Sequence, residues 1–373
     1  MKIAFIDVTA TVSFGGVQTA VWQLAAALAD LGHSLTVYGG TGDIRPDLGG
    51  RPIEVRTFPF TPREKVLDLG SRFRRIVERW SFARHARPAV AAGDHDWIVL
   101  TKPFDFFWPR LLGRTCRSRF AFMSGGTDFF AGDRWLAGGI SAWVACSHFN
   151  AWQIQHHYKR FPRVIYNGVD VEHFAPGSAD PALRASLGAA PGEVLFAFAG
   201  RLVGWKGLKV AVRALARPEL RELPVRLLLI GDGDDLPGLQ KLAGELGVGS
   251  RLIFQKPVPH RELPRYYASA DAGVFPSVGD EAFGITIAEA MSCGLPAVAS
   301  YVGGIPEVVG NEGSCGLLCA PGDAAALAAG MAALAADAGL RRKLGEAARR
   351  RICDNFTWQH AAQRLLAALA ECE

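Results

Sequence analysis

This 373-residue sequence is marked first by what it lacks. No apolar run approaches the roughly 20 residues that span a bilayer, so any membrane contact is expected to be peripheral. No signal-peptide pattern opens the chain; Met1-Lys2-Ile3-Ala4-Phe5-Ile6 runs straight into a predicted strand. Seven cysteines (116, 146, 293, 315, 319, 353 and 372) include no Cys-x-x-Cys pair. Their odd number and irregular spacing exclude a disulfide framework and point to a reduced, cytoplasmic chain. Cys315-x3-Cys319 has no further ligands at zinc spacing. The Gly-x-Gly-x-x-Gly turn of dinucleotide-binding folds is absent too, which counts against nicotinamide-dependent redox chemistry. Internal repeats and low-complexity linkers are missing beyond an alanine bias near the end.

What is present fits two α/β domains of about 150–190 residues each, with 49% hydrophobic and 21% charged residues. The net charge of +5 is modest but unevenly spread. Between 62 and 88, Arg63, Lys65, Arg72, Arg74, Arg75, Arg79, Arg84 and Arg87 face only Glu64, Asp68 and Glu78. Val66, Leu69, Phe73, Ile76, Val77 and Trp80 recur there at helical spacing, which predicts one amphipathic basic helix. Two readings stay open: a helix docked on its own domain with a solvated basic face, or one lying on an anionic bilayer. No nucleic-acid-binding motif accompanies the charge, so no nucleic-acid partner is expected.

Along the chain, strands and helices alternate as in doubly wound folds. A strand at 2–8, the glycine pair Gly15-Gly16, a helix over about 17–31 and a strand at 34–38 open the first domain. Further strands are predicted at 96–102, 119–123, 141–145 and 163–166, the loop after 119–123 reading Ser124-Gly125-Gly126-Thr127-Asp128. Residues 171–191 are rich in Pro, Gly, Ala and Ser, so 169–191 is read as the interdomain connection between domains at 1–168 and 192–355. In the second domain, strands at 194–199, 225–230, 251–255, 271–275, 297–299 and 316–319 alternate with helices. An alanine-rich helical region follows from about 323 to 351, and 356–373 forms a last helix. Of two formal Asp-x-Asp matches, Asp94/Asp96 is read as a turn because it precedes its strand, and Asp232/Asp234, on the loop after the strand at 225–230, is not read as a metal site.

The stretch 280–307 carries the chemistry. Glu281 and Glu289 bracket Phe283-Gly284 and a short predicted helix from Ile285 to Met291, followed by Gly294-Leu295-Pro296 and Gly303-Gly304-Ile305-Pro306-Glu307. In one helix the two carboxylates would lie roughly 12 Å apart along the axis, so they are no acid–base pair on one face. Glu281 is expected on the loop and Glu289 in the helix, addressing different parts of an extended ligand. A helix N-terminus behind Gly284 suits an anion such as phosphate. Arg201 and Lys206 leave the end of the strand at 194–199 just before another helix, where a diphosphate would meet two cations.

Glu-x7-Glu with Gly-x-Pro and Gly-Gly-x-Pro-Glu, together with Gly200-Arg201-Leu202…Lys206-Gly207 and Ile165-Tyr166-Asn167-Gly168-Val169-Asp170, resembles the retaining glycosyltransferase family 4 over essentially the whole chain. The resemblance implies the GT-B fold, two Rossmann-like domains facing across a cleft, with 356–373 returning to the first domain. It implies a metal-independent, retaining transfer of a hexosyl group, with no cofactor, from a UDP- or GDP-sugar to a glycan or lipid-linked acceptor in polysaccharide or cell-envelope synthesis. Catalytic residues would be Glu281, Arg201 and Lys206. Gly15, Gly16, Gly231, Lys256, Val258, Phe283, Gly284, Ile285, Thr286 and Glu289 would complete the donor site, Lys256-Pro257-Val258 at the nucleobase and Glu289 at the ribose. Many members carry a histidine near Ser124; this chain has none there, leaving Ser124 and Asp128 as acceptor-side candidates. A GT-B epimerase or phosphorylase, and a non-catalytic sugar-nucleotide-binding protein, are the alternatives.

Overall fold

The structure, a computed structural model, describes residues 1–13, 15–113, 116–126, 128–177 and 180–372. It divides into two compact units, Met1–Gly168 with Trp358–Glu373, and Val169–Thr357.

The first unit carries seven parallel strands: β1 (Lys2–Ile6), β2 (Ser34–Gly40), β3 (Ile53–Phe58), β4 (Trp97–Leu100), β5 (Arg119–Ser124), β6 (Ala142–Ala145) and β7 (Arg163–Val164). Their order is β3-β2-β1-β4-β5-β6-β7. β1 and β4 are central and covered on both faces, so their sequences are unbroken apolar runs from Ile3 to Ile6 and from Trp97 to Leu100. On one face the helix Gly16–Asp30 packs with the last helix, Trp358–Ala370, through Val21, Leu24, Leu28, Trp358, Leu365 and Leu369. On the other, Phe82, Ala86 and Val90 of the helix Ser71–Ala92 join Phe106, Trp108 and Phe122.

That helix corrects the sequence reading of 62–88. It begins at Ser71, after a short turn at Arg63–Lys65, and runs through Pro88 to Ala92. Its buried face is Glu78, Arg79, Phe82, Ala83, Ala86 and Val90, while Phe73, Ile76 and Trp80 of the helix, and Leu67 and Leu69 ahead of it, stand exposed. The apolar stripe therefore faces outward. Small Ala83 and Ala86 allow close docking, and carboxylates on the loops after β1 and β4 neutralise the buried Arg79, as described below.

The second unit holds six parallel strands, β8 (Val194–Ala199), β9 (Val225–Ile230), β10 (Leu252–Gln255), β11 (Ala272–Phe275), β12 (Ala297–Ser300) and β13 (Gly316–Cys319). Their order is β10-β9-β8-β11-β12-β13. Residues 169–191, read from composition as a connection, are folded into this unit. Asp180 caps the helix Pro181–Ser186, and Arg184 from that helix bonds the Ser269 and Glu193 carbonyls and the Asp271 carboxylate. The alanine-rich region is two helices, Ala324–Ala336 and Ala338–Asn355, broken at Asp337, whose side chain caps the second.

Each sheet reverses its strand order once, between β1 and β4 and between β8 and β11. Loops at the carboxyl ends of those strands part there, which leaves the crevice where open α/β sheets hold ligands. Among the described residues no single helix is long and apolar enough to cross a membrane.

Candidate functional site

In the second unit the crossover point is built from the loops after β8 and β11. The Trp205 carbonyl accepts hydrogen bonds from the Val278 and Gly279 N–H groups at 2.9 and 3.1 Å, which ties the two loops together. Gly207 makes this possible: its φ is 68°, and a Cβ there would strike the Pro276 carbonyl. Lys206 forms an ion pair with Glu281, and its Nζ also lies 4.3 Å from the Trp205 ring centroid. Arg201 is exposed, its guanidinium 5.9 Å from the same ring, with no carboxylate partner among the described residues. Two cations thus flank one indole, and one of them is paired with a carboxylate.

Glu281 lies outside the helix Ile285–Ser292, and Glu289 within it. The Gly303-Gly304 pair holds the Glu281 loop from below. Gly304 N–H donates to the Glu281 carbonyl at 2.8 Å, and a Cβ on either glycine would collide with the backbone of Glu281 or Ala282. That contact gives a packing reason for the glycine pair. Gly284 caps the helix in a left-handed conformation (φ 96°). The first intrahelical bonds, from Ile287 and Ala288 to the Gly284 carbonyl, leave the Ile285 and Thr286 N–H groups ahead of them. Phe283 is buried, its ring 5.8 Å from that of Phe356. Gly231 follows β9 beside Gly200, and Lys256 and Val258 follow β10, Lys256 exposed.

Glu289 is buried, and its Oε1 accepts a hydrogen bond from His260 Nε2 at 2.7 Å. Its Oε2 is also buried, with no hydrogen-bond partner in the structure. Burial alone would lower the His260 pKa, but the hydrogen bond to Glu289 and that carboxylate's charge raise it above the ordinary histidine value. Sequence reasoning passed over His260. The available signal was its place on the loop leaving the carboxyl end of β10, two residues past Val258.

At the first unit's crossover point, β1 runs out into Asp7 and β4 into Thr101-Lys102. Asp7 is fully buried and accepts from Thr9 N–H and Oγ1 and from Thr101 Oγ1. Burial works to raise its pKa, yet Arg79 and these bonds bring it below the usual carboxylate range. Arg79 also pairs with buried Asp105. There burial, aided by the Asp7 charge, outweighs Arg79, and Asp105 is pushed up to about 7. Asp128 sits between Arg75 and Lys102, each 2.8 Å away, and despite partial burial Lys102 and Arg75 hold it down to about 2. Arg75, which the sequence placed on an outer basic face, and Lys102, which it did not single out, are both drawn into this cluster. Ser124 Oγ closes its own turn on Gly126, and Thr127 lies outside the described residues. Gly15 and Gly16 open the helix over β1, where Gln18 donates to Thr9 Oγ1.

The family model for glycosyl transferases group 1 matches residues 180–351, and that for Glycosyltransferase Family 4 matches 14–173. A D-inositol 3-phosphate glycosyltransferase of Streptomyces bingchenggensis is 33% identical over 252 residues, covering 64% of this chain and 55% of that protein. A GDP-mannose-dependent alpha-(1-6)-phosphatidylinositol monomannoside mannosyltransferase of Mycolicibacterium smegmatis is 34% identical, covering 54% of each. The matches thus span about half the length of these curated relatives. Anabaena Alr3699/HepE, solved with UDP and glucose, superposes with a TM-score of 0.79 at 23% identity over 99% of both chains. Sucrose-phosphate synthase of Thermosynechococcus elongatus superposes at 0.81 and 23%, over 99% of this chain and 98% of that one. These likenesses show the fold, GT-B.

Proposed function

This chain belongs to glycosyltransferase family 4 of the group 1 glycosyl transferases, and from that premise we propose that it moves a hexosyl group from a nucleotide-diphosphate sugar to a glycan or lipid-linked acceptor, with retention and without a metal. The observation that carries the reading is the gathering of Arg201, Lys206, Glu281 and the start of the Ile285–Ser292 helix at one crossover point. Relatives and structural neighbours named for GDP-mannose and solved with UDP support a UDP- or GDP-sugar donor.

The chemistry follows from charge. Breaking the anomeric C–O bond sends its electron pair to the diphosphate and leaves oxocarbenium character on the sugar. Arg201, Lys206 and the N–H groups after Gly284 stabilise the diphosphate, which is preorganised electrostatic catalysis. A diphosphate competes with Glu281 for Lys206, and the released carboxylate takes sugar hydroxyls and favours the cationic ring. The acceptor hydroxyl attacks the face the diphosphate leaves, and its proton passes to the departing phosphate oxygen. Glu289 holds the ribose, and the loop at Lys256–Val258 the base. Ser124 and Asp128 are the acceptor-side candidates, with Asp128 held by Arg75 and Lys102, and Gly15 and Gly16 are donor-binding candidates. The exposed Leu67, Leu69, Phe73, Ile76 and Trp80, among Arg72, Arg84 and Arg87, would rest on anionic lipid at the cytoplasmic face of a membrane.

A thermal-shift panel of nucleotide sugars tests the donor. Binding stabilises the fold by RT ln(1 + [L]/Kd), about 2.7 kcal/mol at a hundredfold excess over Kd, so a cognate UDP- or GDP-sugar should stand out. No shift with any nucleotide sugar, and no nucleoside diphosphate released with any glycan or lipid-linked acceptor, would sink the reading.

A further inference from the structure

We propose that His260 is a positioning residue for the ribose: it fixes one oxygen of Glu289 so that the other accepts from the ribose hydroxyls. The inference rests on the reading of Glu289 given above and adds a residue and a division of labour within one carboxylate.

The two oxygens of Glu289 are unequal. Its side chain is only 4% exposed, Oε1 is held by His260 at 2.7 Å, and Oε2 is buried with no hydrogen-bond partner. A buried carboxylate oxygen without a donor is costly, and folded proteins rarely tolerate one unless a ligand or water supplies the missing hydrogen. A ribose diol offers that hydrogen. Tyr267 does not supply it, because it directs its hydroxyl to the Thr286 carbonyl at 3.4 Å.

His260 is built for this role. It opens a short turn, His260–Glu262, after Pro259, so the backbone on its N-terminal side is stiff. Its ring lies 5.1 Å from that of Phe174, which is buried, and the Phe174 carbonyl is gripped by Arg349 and Ser292. One edge of the imidazole is thereby fixed while the side chain stays 43% exposed, bridging solvent and a buried carboxylate. A carboxylate accepts, so Nε2 carries the proton in this bond. The same loop carries Lys256 and Val258, which links base and ribose recognition in one segment.

Isothermal titration with UDP, GDP and ADP identifies the nucleotide that binds wild type most tightly. That nucleotide and its 2′,3′-dideoxy analogue are then titrated into wild type, His260→Phe, His260→Asn and His260→Gln. Wild type should prefer the ribonucleotide. His260→Phe, which keeps the packing on Phe174, should weaken ribonucleotide binding about tenfold, while the dideoxy Kd moves by less than about twofold. His260→Gln, which retains an N–H donor, should recover most of the loss. In turnover the Phe variant should raise KM for the donor and leave kcat unchanged, as loss of uniform binding does. Equal weakening of both ligands, or of neither, overturns the proposal. Should the Phe variant fail to fold, His260→Asn, too short to reach Oε1, takes its place with the same expectations. Wild type binding both ligands equally would overturn the ribose role of Glu289 itself, and that result needs no His260 variant.

Discussion

Both units reverse strand order at one place, and they fill it in opposite ways. In the first, three acids meet three bases: Asp7 and Asp105 share Arg79 in the interior, and Asp128 lies between Arg75 and Lys102. In the second, Arg201 and Lys206 face one acid, Glu281, and Arg201 stays exposed. A balanced, buried cluster has spent its charge on the fold, since removing one partner strands another charge in low dielectric. An unbalanced pair on glycine-rich loops keeps a positive charge for an incoming anion. The topology is shared; the charge balance separates scaffold from donor site.

The largest expected effect tests the scaffold half of that comparison. Arg79→Ala leaves Asp7 buried without its cation and should cost on the order of 3–5 kcal/mol in chemical denaturation. A loss below about 1 kcal/mol would mean that the triad is not held by its charges. Arg201→Ala tests the other half. It should leave stability nearly unchanged and cost about 2–4 kcal/mol in kcat/KM, as removing a preorganised oxyanion partner does. If Arg201→Ala and Lys206→Ala both turned over donor at wild-type efficiency, the diphosphate assignment would fail. Exhaustive EDTA treatment is expected to leave activity unchanged, because the cations already supply the charge. A strict magnesium requirement would reopen Asp232 and Asp234, both exposed on the loop after β9.

A smaller effect separates the two carboxylates on Arg79. Asp105 is raised in the folded state to about 7, so folding favours its proton. Its stabilising contribution is whole below the unfolded value near 3.8 and is lost as pH rises towards 7. Asp7 and Asp128 are lowered, so their contributions run the other way, present above the unfolded value and lost in acid. The difference in unfolding free energy between wild type and Asp105→Asn should therefore slope across pH 4–7, with wild type losing ground as pH rises. A flat difference would show that Asp105 titrates normally.

What the sequence made legible follows the same line. The fold was readable because the central strands of parallel sheets are continuous apolar runs, and the Asn167–Asp170 and Gly200–Gly207 motifs punctuate them. β3 escaped because it is an edge strand whose Glu54 and Arg56 break the run. Separate placement of Glu281 and Glu289 was legible from spacing alone. The Lys206–Glu281 pair and the His260–Glu289 bond were not, since each joins residues brought together only by the sheet. Helical periodicity misled at Ser71–Ala92 for a physical reason. It marks which residues share a face, and the face that turned inward carries Phe82, Ala83, Ala86 and Val90 together with Arg79, whose charge Asp7 and Asp105 neutralise.

The smallest effect expected concerns that outward face. Leu67, Leu69, Phe73, Ile76 and Trp80 are 39–73% exposed beside Arg72, Arg84 and Arg87, whereas among the described residues of the second unit the exposed large apolar side chains are Leu246, Val278 and Tyr301. Apolar groups interleaved with arginine suit the boundary between acyl chains and anionic headgroups. Each cation near such a surface contributes about 1 kcal/mol, and salt screens it over roughly 8 Å at physiological ionic strength. Wild type should pellet with anionic liposomes at low salt and less at high salt. Arg79 is unsuitable for charge reversal because it is buried, so the informative variant is Arg72→Glu with Arg84→Glu and Arg87→Glu, all on exposed positions. It should keep the wild-type unfolding midpoint and lose most of its low-salt pelleting. Trp80→Ser, which removes apolar contact without charge, should lower pelleting at both salt concentrations. Equal pelleting of wild type and the triple variant, or none by wild type at low salt, would leave this face an ordinary surface and remove the membrane from the reading.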